Sequence, residues 1–277
     1  MRLHSLSILL AFSTVLCAPA AADEPATTFS LDGTTTAVTP GATYGPWDWM
    51  IAAYRTTVGE DKPGLQIITR SDRDTGAPTS GTSYILDDYH QFSEHAYGYA
   101  SLQLSSGQLF PTRGLYLEGD ASVANGVAFG TGVGWLANPD GSSQQFMSIG
   151  PTMYFPHGNA TLRYLPLWTR GDMGASSFLA AATIGDESHT SATLTLQDGV
   201  VPAYAANQVL LTTGVSERAF AAELTTRHFI TPRFGYDVGL SYANVTDRQT
   251  NTFEYSSYGF TFGLVWGRPA RLPNVQP

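Results

Sequence analysis

From about residue 28 onward, apolar residues alternate with small or polar ones at period two. In Gly114–Ser122, Leu115, Leu117 and Ala121 share one face, and Tyr116, Glu118, Asp120 and Ser122 the other. Val127, Phe129, Val133 and Trp135 alternate with Ala128, Gly130, Gly132 and Gly134, and Tyr258, Phe260, Phe262, Leu264 and Trp266 with Gly259, Thr261, Gly263 and Val265. This spacing predicts strands with one apolar face, because successive side chains on a strand point to opposite sides. Helical spacing is not sustained after the first 22 residues. About fourteen strands result: 28–38, 47–57, 64–72, 82–91, 95–104, 112–122, 126–136, 143–154, 159–168, 175–184, 189–197, 215–228, 233–243 and 254–266. Long and short connections alternate between them, as in a meander with tight turns at one end and longer loops at the other. Turn formers such as Asn138-Pro139-Asp140-Gly141 and Phe155-Pro156-His157-Gly158 occupy the breaks.

Sidedness separates a membrane barrel from a soluble sandwich. The polar faces carry Gly, Ser and Thr with occasional Asp, Glu or Arg, and the single lysine, Lys62, lies in a turn. A water-facing sheet would show lysine and other charges along its outer faces and edges. Aromatic residues gather toward strand ends (Trp47, Trp49, Trp135, Trp168, Trp266, Tyr154, Phe155), the placement of an interfacial girdle. The fold expected is an all-β, closed, up-and-down antiparallel transmembrane β-barrel of about fourteen strands, with twelve the lower count. Closure also removes the edges of so large a sheet.

Composition agrees with this reading. The 277 residues carry a formal charge of −9, and 13% are charged, about half the ~25% usual for a soluble domain. Mean hydropathy is only −0.08, because apolar and polar residues are interleaved and cancel. A pI near 5.0 argues against a nucleic-acid partner. Residues 1–22 read as a signal peptide: Arg2, an apolar run from Leu6 to Leu16, and Ala20-Ala21-Ala22 before Asp23. Cleavage there removes Cys17, the only cysteine, so no disulfide supports the mature fold. The organisation expected is a signal peptide over 1–22, a barrel over 23–266 and a short tail over 267–277, in the outer membrane of a Gram-negative cell.

The last strand, Ser257-Tyr258-Gly259-Phe260-Thr261-Phe262-Gly263-Leu264, has the form polar-x-Gly-x-x-aromatic-x-apolar. It resembles the signal that the outer-membrane barrel assembly machinery reads in its clients, with Ser257, Gly259, Phe262 and Leu264 at the diagnostic positions. It departs from that pattern because Gly267–Pro277 follow in place of a terminal aromatic residue. The stretch from Arg113 to Arg163 resembles the YaiO family of outer-membrane β-barrels. The resemblance rests on Gly126-Val127-Ala128-Phe129-Gly130-Thr131-Gly132-Val133-Gly134-Trp135, on Ile149-Gly150-Pro151 with Tyr154, and on Arg163-Tyr164, extending loosely through the closing strand. It implies a surface-exposed barrel, in some members alongside exopolysaccharide machinery, and transfers no catalytic residues. Partners expected are outer-membrane lipid, the assembly machinery, and a surface polysaccharide or its export apparatus.

No metalloprotease, P-loop, nucleophile-elbow or CxxC motif is present, and no cofactor or metal is expected. Gly130, Gly132 and Gly134 are read as making room for bulky side chains from the opposite wall. His90, near Asp87, Asp88 and Ser93, would permit a Ser-His-Asp arrangement and hence a lipid or acyl hydrolase. Solvated rim residues are the plainer reading, and His90, Glu94 and His95 on a tight turn do not fix a metal geometry. The main candidates are charges on inward faces: Arg70, Asp72, Glu118, Asp120, Arg163, Glu223, Arg227 and Asp237. Charges inside a barrel must be paired or solvated. They form either a stiffening network that plugs the barrel or the lining of a narrow solute channel. The expectation is a non-enzymatic barrel with a cell-surface role.

Overall fold

The computed structural model describes residues 26–41, 44–74, 79–169, 172–186, 188–200, 203–205, 208–210 and 217–268. The signal peptide expected over 1–22, and the tail beyond Arg268, lie outside them. Eleven strands follow one another: β1 (Thr27–Thr39), β2 (Trp47–Thr56), β3 (Gly64–Asp72), β4 (Thr79–Ser93), β5 (Ala96–Gly107), β6 (Arg113–Ala124), β7 (Val127–Ala137), β8 (Ser143–Phe155), β9 (Gly158–Thr169), β10 (Asp172–Asp186) and β11 (Thr190–Gly199). A small hairpin of β12 (Ala203–Ala205) and β13 (Gln208–Leu210) interrupts the meander. β14 (Glu217–Thr231), β15 (Phe234–Asp247) and β16 (Phe253–Gly267) complete it. Each barrel strand pairs antiparallel with its neighbours, and β16 closes on β1 from Thr28↔Gly267 to Thr39↔Ser256. The result is a closed 14-strand antiparallel barrel, with β12–β13 a separate two-stranded sheet.

Several strands run two or three residues past the apolar alternation. β4, for example, starts at Thr79 rather than 82 and β15 ends at Asp247 rather than 243. Backbone pairing continues into the polar rim, where no lipid enforces the period-two pattern. Tight turns at 94–95, 125–126, 156–157, 187–189 and 232–233 define one end, which also holds the longer 57–63 connection. The other end holds 40–46, 73–78, 108–112, 138–142, 200–216 and 248–252, together with the two-residue 170–171 connection.

Large apolar residues cover the outside. Leu86, Leu117, Leu162, Leu240 and Phe262 are 54%, 46%, 50%, 59% and 50% exposed. A belt of this kind far exceeds what a water-soluble monomer tolerates, so its solvent is hydrocarbon. Outward aromatic clusters flank it: Phe29 and Phe234 pack on Trp266 toward the tight-turn end, and Tyr242 packs on Phe220 and Tyr258 toward the other. Trp135 also lies outside. Trp47, Trp49 and Tyr154 correct the expected girdle, because their side chains turn inward. The inner face of β2 is Trp47, Trp49, Ile51 and Ala53, while Asp48, Met50 and Tyr54 face out.

Candidate functional site in the barrel interior

Three groups of interior charges meet over an inward glycine, two of them as arginine–carboxylate pairs and the third as two carboxylates. Arg163 on β9 reaches across β8 and β7 to β6, where its Nη2 donates to Glu118 Oε1 and Asp120 Oδ1, both at 2.9 Å. Its Nη1 donates to the Gly150 carbonyl at 2.8 Å. Gly130 on β7 is in register between Asp120 and Gly150, and a Cβ there would lie 2.6 Å from Arg163 Nη2. Glycine is thus what permits the ion pair to pass over a strand. Arg55 on β2 likewise meets Asp87 on β4 over Gly64 of β3, with which both are in register. On the far wall Asp32 of β1 and Asp237 of β15 flank Gly263 of β16, and Arg227 of β14 pairs bidentately with Asp237 at 2.8 and 2.7 Å.

Arg70 is held differently. Its guanidinium donates to both carboxylate oxygens of Asp72 at 2.6 and 2.7 Å. It also lies between the Trp47 and Trp49 rings, 4.7 and 4.5 Å from their centroids. Cation–π contact of this kind strengthens once water is excluded. The inward indoles therefore have an electrostatic task rather than an interfacial one.

All eight predicted charged residues occupy inward positions, and seven of them join ion pairs. Among the described residues no ion pair includes Glu223, whose carboxylate accepts a 3.4 Å bond from the Thr225 hydroxyl. Sequence reasoning missed Arg55 and Asp32, and grouped Asp87 with His90 instead of with the inward charges. Alternation in β4 (Ser83, Ile85, Asp87, Tyr89 on one face) was the available signal for Asp87. Among the described residues, the groups above comprise four arginines (55, 70, 163, 227) and seven carboxylates (32, 72, 87, 118, 120, 223, 237), three more negative than positive charges when all are ionised.

The glycines of β7 also have a corrected explanation. A Cβ at Gly132 would meet the Tyr116 hydroxyl at 2.7 Å, and one at Gly134 would enter the Phe146 ring. The bulky groups above them come from the adjacent strands β6 and β8, not from the opposite wall. Tyr116 and Phe146 stack at 5.7 Å over this floor, and the Tyr116 hydroxyl donates to Glu118.

Toward the end with the longer loops the interior becomes apolar. Tyr44, from 40–46, packs on Trp47 and Tyr255. Phe110, from 108–112 and 2% exposed, packs on Ile68, Ile85 and Trp49. Val200, at the start of 200–216, joins Leu165, Leu167 and Ala175. Three connections thus lower an apolar side chain into the mouth. The wall from β11 through β16 to β1 is lined by small hydroxyl residues, among them Thr193, Thr195, Thr225, Ser241, Thr261 and Thr34. Thr34 and Thr261 hydroxyls lie 2.7 Å apart.

The remaining candidates are scattered. His90 lies on the outer face and its Nδ1 bonds to Asp61 at 2.6 Å. Asp87 points inward to Arg55, and the Ser93 hydroxyl accepts from the His95 amide at 3.2 Å. The Ser-His-Asp arrangement allowed by sequence is not assembled: Asp88 shares the face of His90 but accepts from the Lys62 amide at 3.0 Å, and Ser93 bonds the His95 amide instead of His90. No metal-binding group of three or more His, Cys, Asp or Glu occurs among the described residues. Ser257 and Gly259 face inward and Phe262 and Leu264 outward on β16, opposite Val38, Thr36, Gly33 and Leu31 of β1.

The family described as the YaiO membrane beta barrel domain matches residues 28–204, from β1 into the connection after β11. No curated protein matches the chain. Solved structures similar to it include the CymD monoaromatic hydrocarbon channel, at 8% identity over 90% of each chain with a TM-score of 0.57. The P. putida toluene transporter TodX is 8% identical over 90% of this chain and 91% of its own, with a TM-score of 0.54. At such identities the likeness is one of fold.

Proposed function

This chain belongs to the YaiO membrane β-barrel family, and from that premise we propose a non-enzymatic outer-membrane barrel with a cell-surface role tied to envelope polysaccharide. The observation that carries the reading is the interior itself: ion pairs tie together strands up to three apart, and Tyr44, Phe110 and Val200 pack into the mouth. An interior organised in this way supports a stiff surface scaffold more than an open pore. The link to polysaccharide comes from the family resemblance, and the hydroxyl-lined wall is compatible with a glycan. Export through the signal peptide and insertion by the assembly machinery, reading Ser257, Gly259, Phe262 and Leu264, belong to the same proposal.

Planar-bilayer recordings of the purified chain test it. The expected result is no stable open state, and reproducible conductance steps would overturn the scaffold reading. Deletion from a polysaccharide-producing cell should change the amount retained at the surface; an unchanged amount removes the polysaccharide link. The second reading, a narrow solute channel, is favoured by the small hydroxyl residues of β11–β1 and the surplus of carboxylates. It requires steps that prefer cations.

A further inference from the structure

The ladder between β8 and β9 is broken in mid-strand. Pairing is present at Phe146↔Leu167, Ile149↔Tyr164 and Thr152↔Thr161 and missing at the positions between them. Elsewhere among the described residues, register irregularities occur only near strand ends. Pro151 on β8 and Pro166 on β9 explain the gap, since neither has an N–H to donate. Pro151 remains paired with Phe129 of β7, and Pro166 with Ser176 of β10. Both lost donors therefore belong to the same seam. Hydrogen-bonded pairs alternate along an antiparallel ladder, so Met147↔Pro166, Ile149↔Tyr164 and Pro151↔Leu162 are successive bonded positions. Only the middle one keeps both bonds.

Arg163 stands directly behind this gap. Its Nη1 lies 3.4 Å from the carbonyl of Leu162, which Pro151 leaves without its ladder donor, and 2.8 Å from that of Gly150. Outside the seam are Ile149, Leu162 and Tyr164, all exposed to the lipid belt; inside are Thr152, Thr161 and Arg163. Parting two barrel strands in hydrocarbon strands a run of backbone groups without partners, which is what keeps such walls shut. At β8–β9 part of that run is already absent. We propose that the barrel wall opens sideways here, with Arg163 as the latch, giving lipid-soluble molecules a route between the bilayer and the interior. What passes is defined by the two sides: chiefly apolar to slip between Ile149 and Tyr164, with a single hydrogen-bonding group that Arg163 or the threonines receive.

Labelling of an interior thiol from the lipid phase tests this. The full chain carrying Thr161→Cys is reconstituted in vesicles and exposed to a bilayer-dissolved dodecylmaleimide or to a charged, water-soluble maleimide. Ser241→Cys on β15, between two continuous ladders, is the control. The alkyl reagent should favour the Thr161→Cys thiol about tenfold over the control after normalisation to the charged reagent, the scale of one or two missing hydrogen bonds. Adding Pro151→Val and Pro166→Val restores the donors and should erase the preference. Equal labelling at the two sites, or a preference that survives the restored ladder, would overturn the proposal. If the valine variant does not fold, Thr152→Cys with Thr161→Cys closes the seam instead, since those hydroxyls lie 3.0 Å apart. Amide exchange at Ile149 and Tyr164 should then slow about tenfold on oxidation of the pair, and unchanged exchange would equally overturn it.

Discussion

Replacing Arg163 with methionine should be among the most damaging single changes in the barrel interior. The guanidinium is 5% exposed, and its carboxylate partners Glu118 and Asp120 are 13% and 1% exposed. Methionine keeps an unbranched apolar stem but leaves both carboxylates without their cation. Stranding a buried charge costs about 3–5 kcal/mol. Two charge-assisted bonds at about 1.5–3 kcal/mol each give the same scale. The loss can be read from the guanidinium midpoint of the detergent-folded barrel, followed by tryptophan emission and heat-modifiable gel mobility. The triple variant Arg163→Met, Glu118→Gln, Asp120→Asn separates charge from shape. It should recover most of the loss, because neutral amides need no counter-ion. A single variant within about 1 kcal/mol of wild type would refute the reasoning, as would a triple variant no better than the single one.

Three further outcomes follow from the same geometry. Phe110→Ala combined with Tyr44→Ala should widen the mouth and produce bilayer conductance where none is expected of the wild type; silence in both would place the constriction elsewhere. Any current so obtained should prefer cations because of the surplus interior carboxylates, and Glu223→Gln with Asp32→Asn should reduce that preference in reversal-potential measurements. Gly134→Val should cost about 1–3 kcal/mol by driving a side chain into the Phe146 ring. Phe146→Ala in the same chain should return part of that in a denaturant titration, and additive losses would contradict the contact.

Strand positions were legible because lipid outside and a packed interior impose opposite chemistries at period two. The same pattern did not say which face was which where both carried aromatics, and β2 was misread for that reason. Trp47 and Trp49 alternate with Met50 and Tyr54, and only the cation of Arg70 on the neighbouring strand distinguishes them. Arg70–Asp72 and Arg227–Asp237 lie on one strand or one hairpin, so inward parity brought their members together. Arg55–Asp87 and the Asp32–Asp237 flank depend on strands two apart, a separation that alternation alone does not encode. The missing cue was the inward glycine between the charges: Gly64, Gly130 and Gly263 each sit in register beneath one such crossing.

Those crossings bear on how the barrel finds its register. A strand displaced by two residues keeps every apolar side chain toward lipid, so the membrane cannot sense the error. The interior can. Such a slip moves Gly64 from beneath Arg55 and Asp87 and brings Gln66 there, blocking the crossing while leaving two charges unmatched. The same displacement of β7 or β16 meets Asp120 or Asp32. Three glycines thus act as alignment keys, and the proofreading of strand pairing is done from inside the barrel.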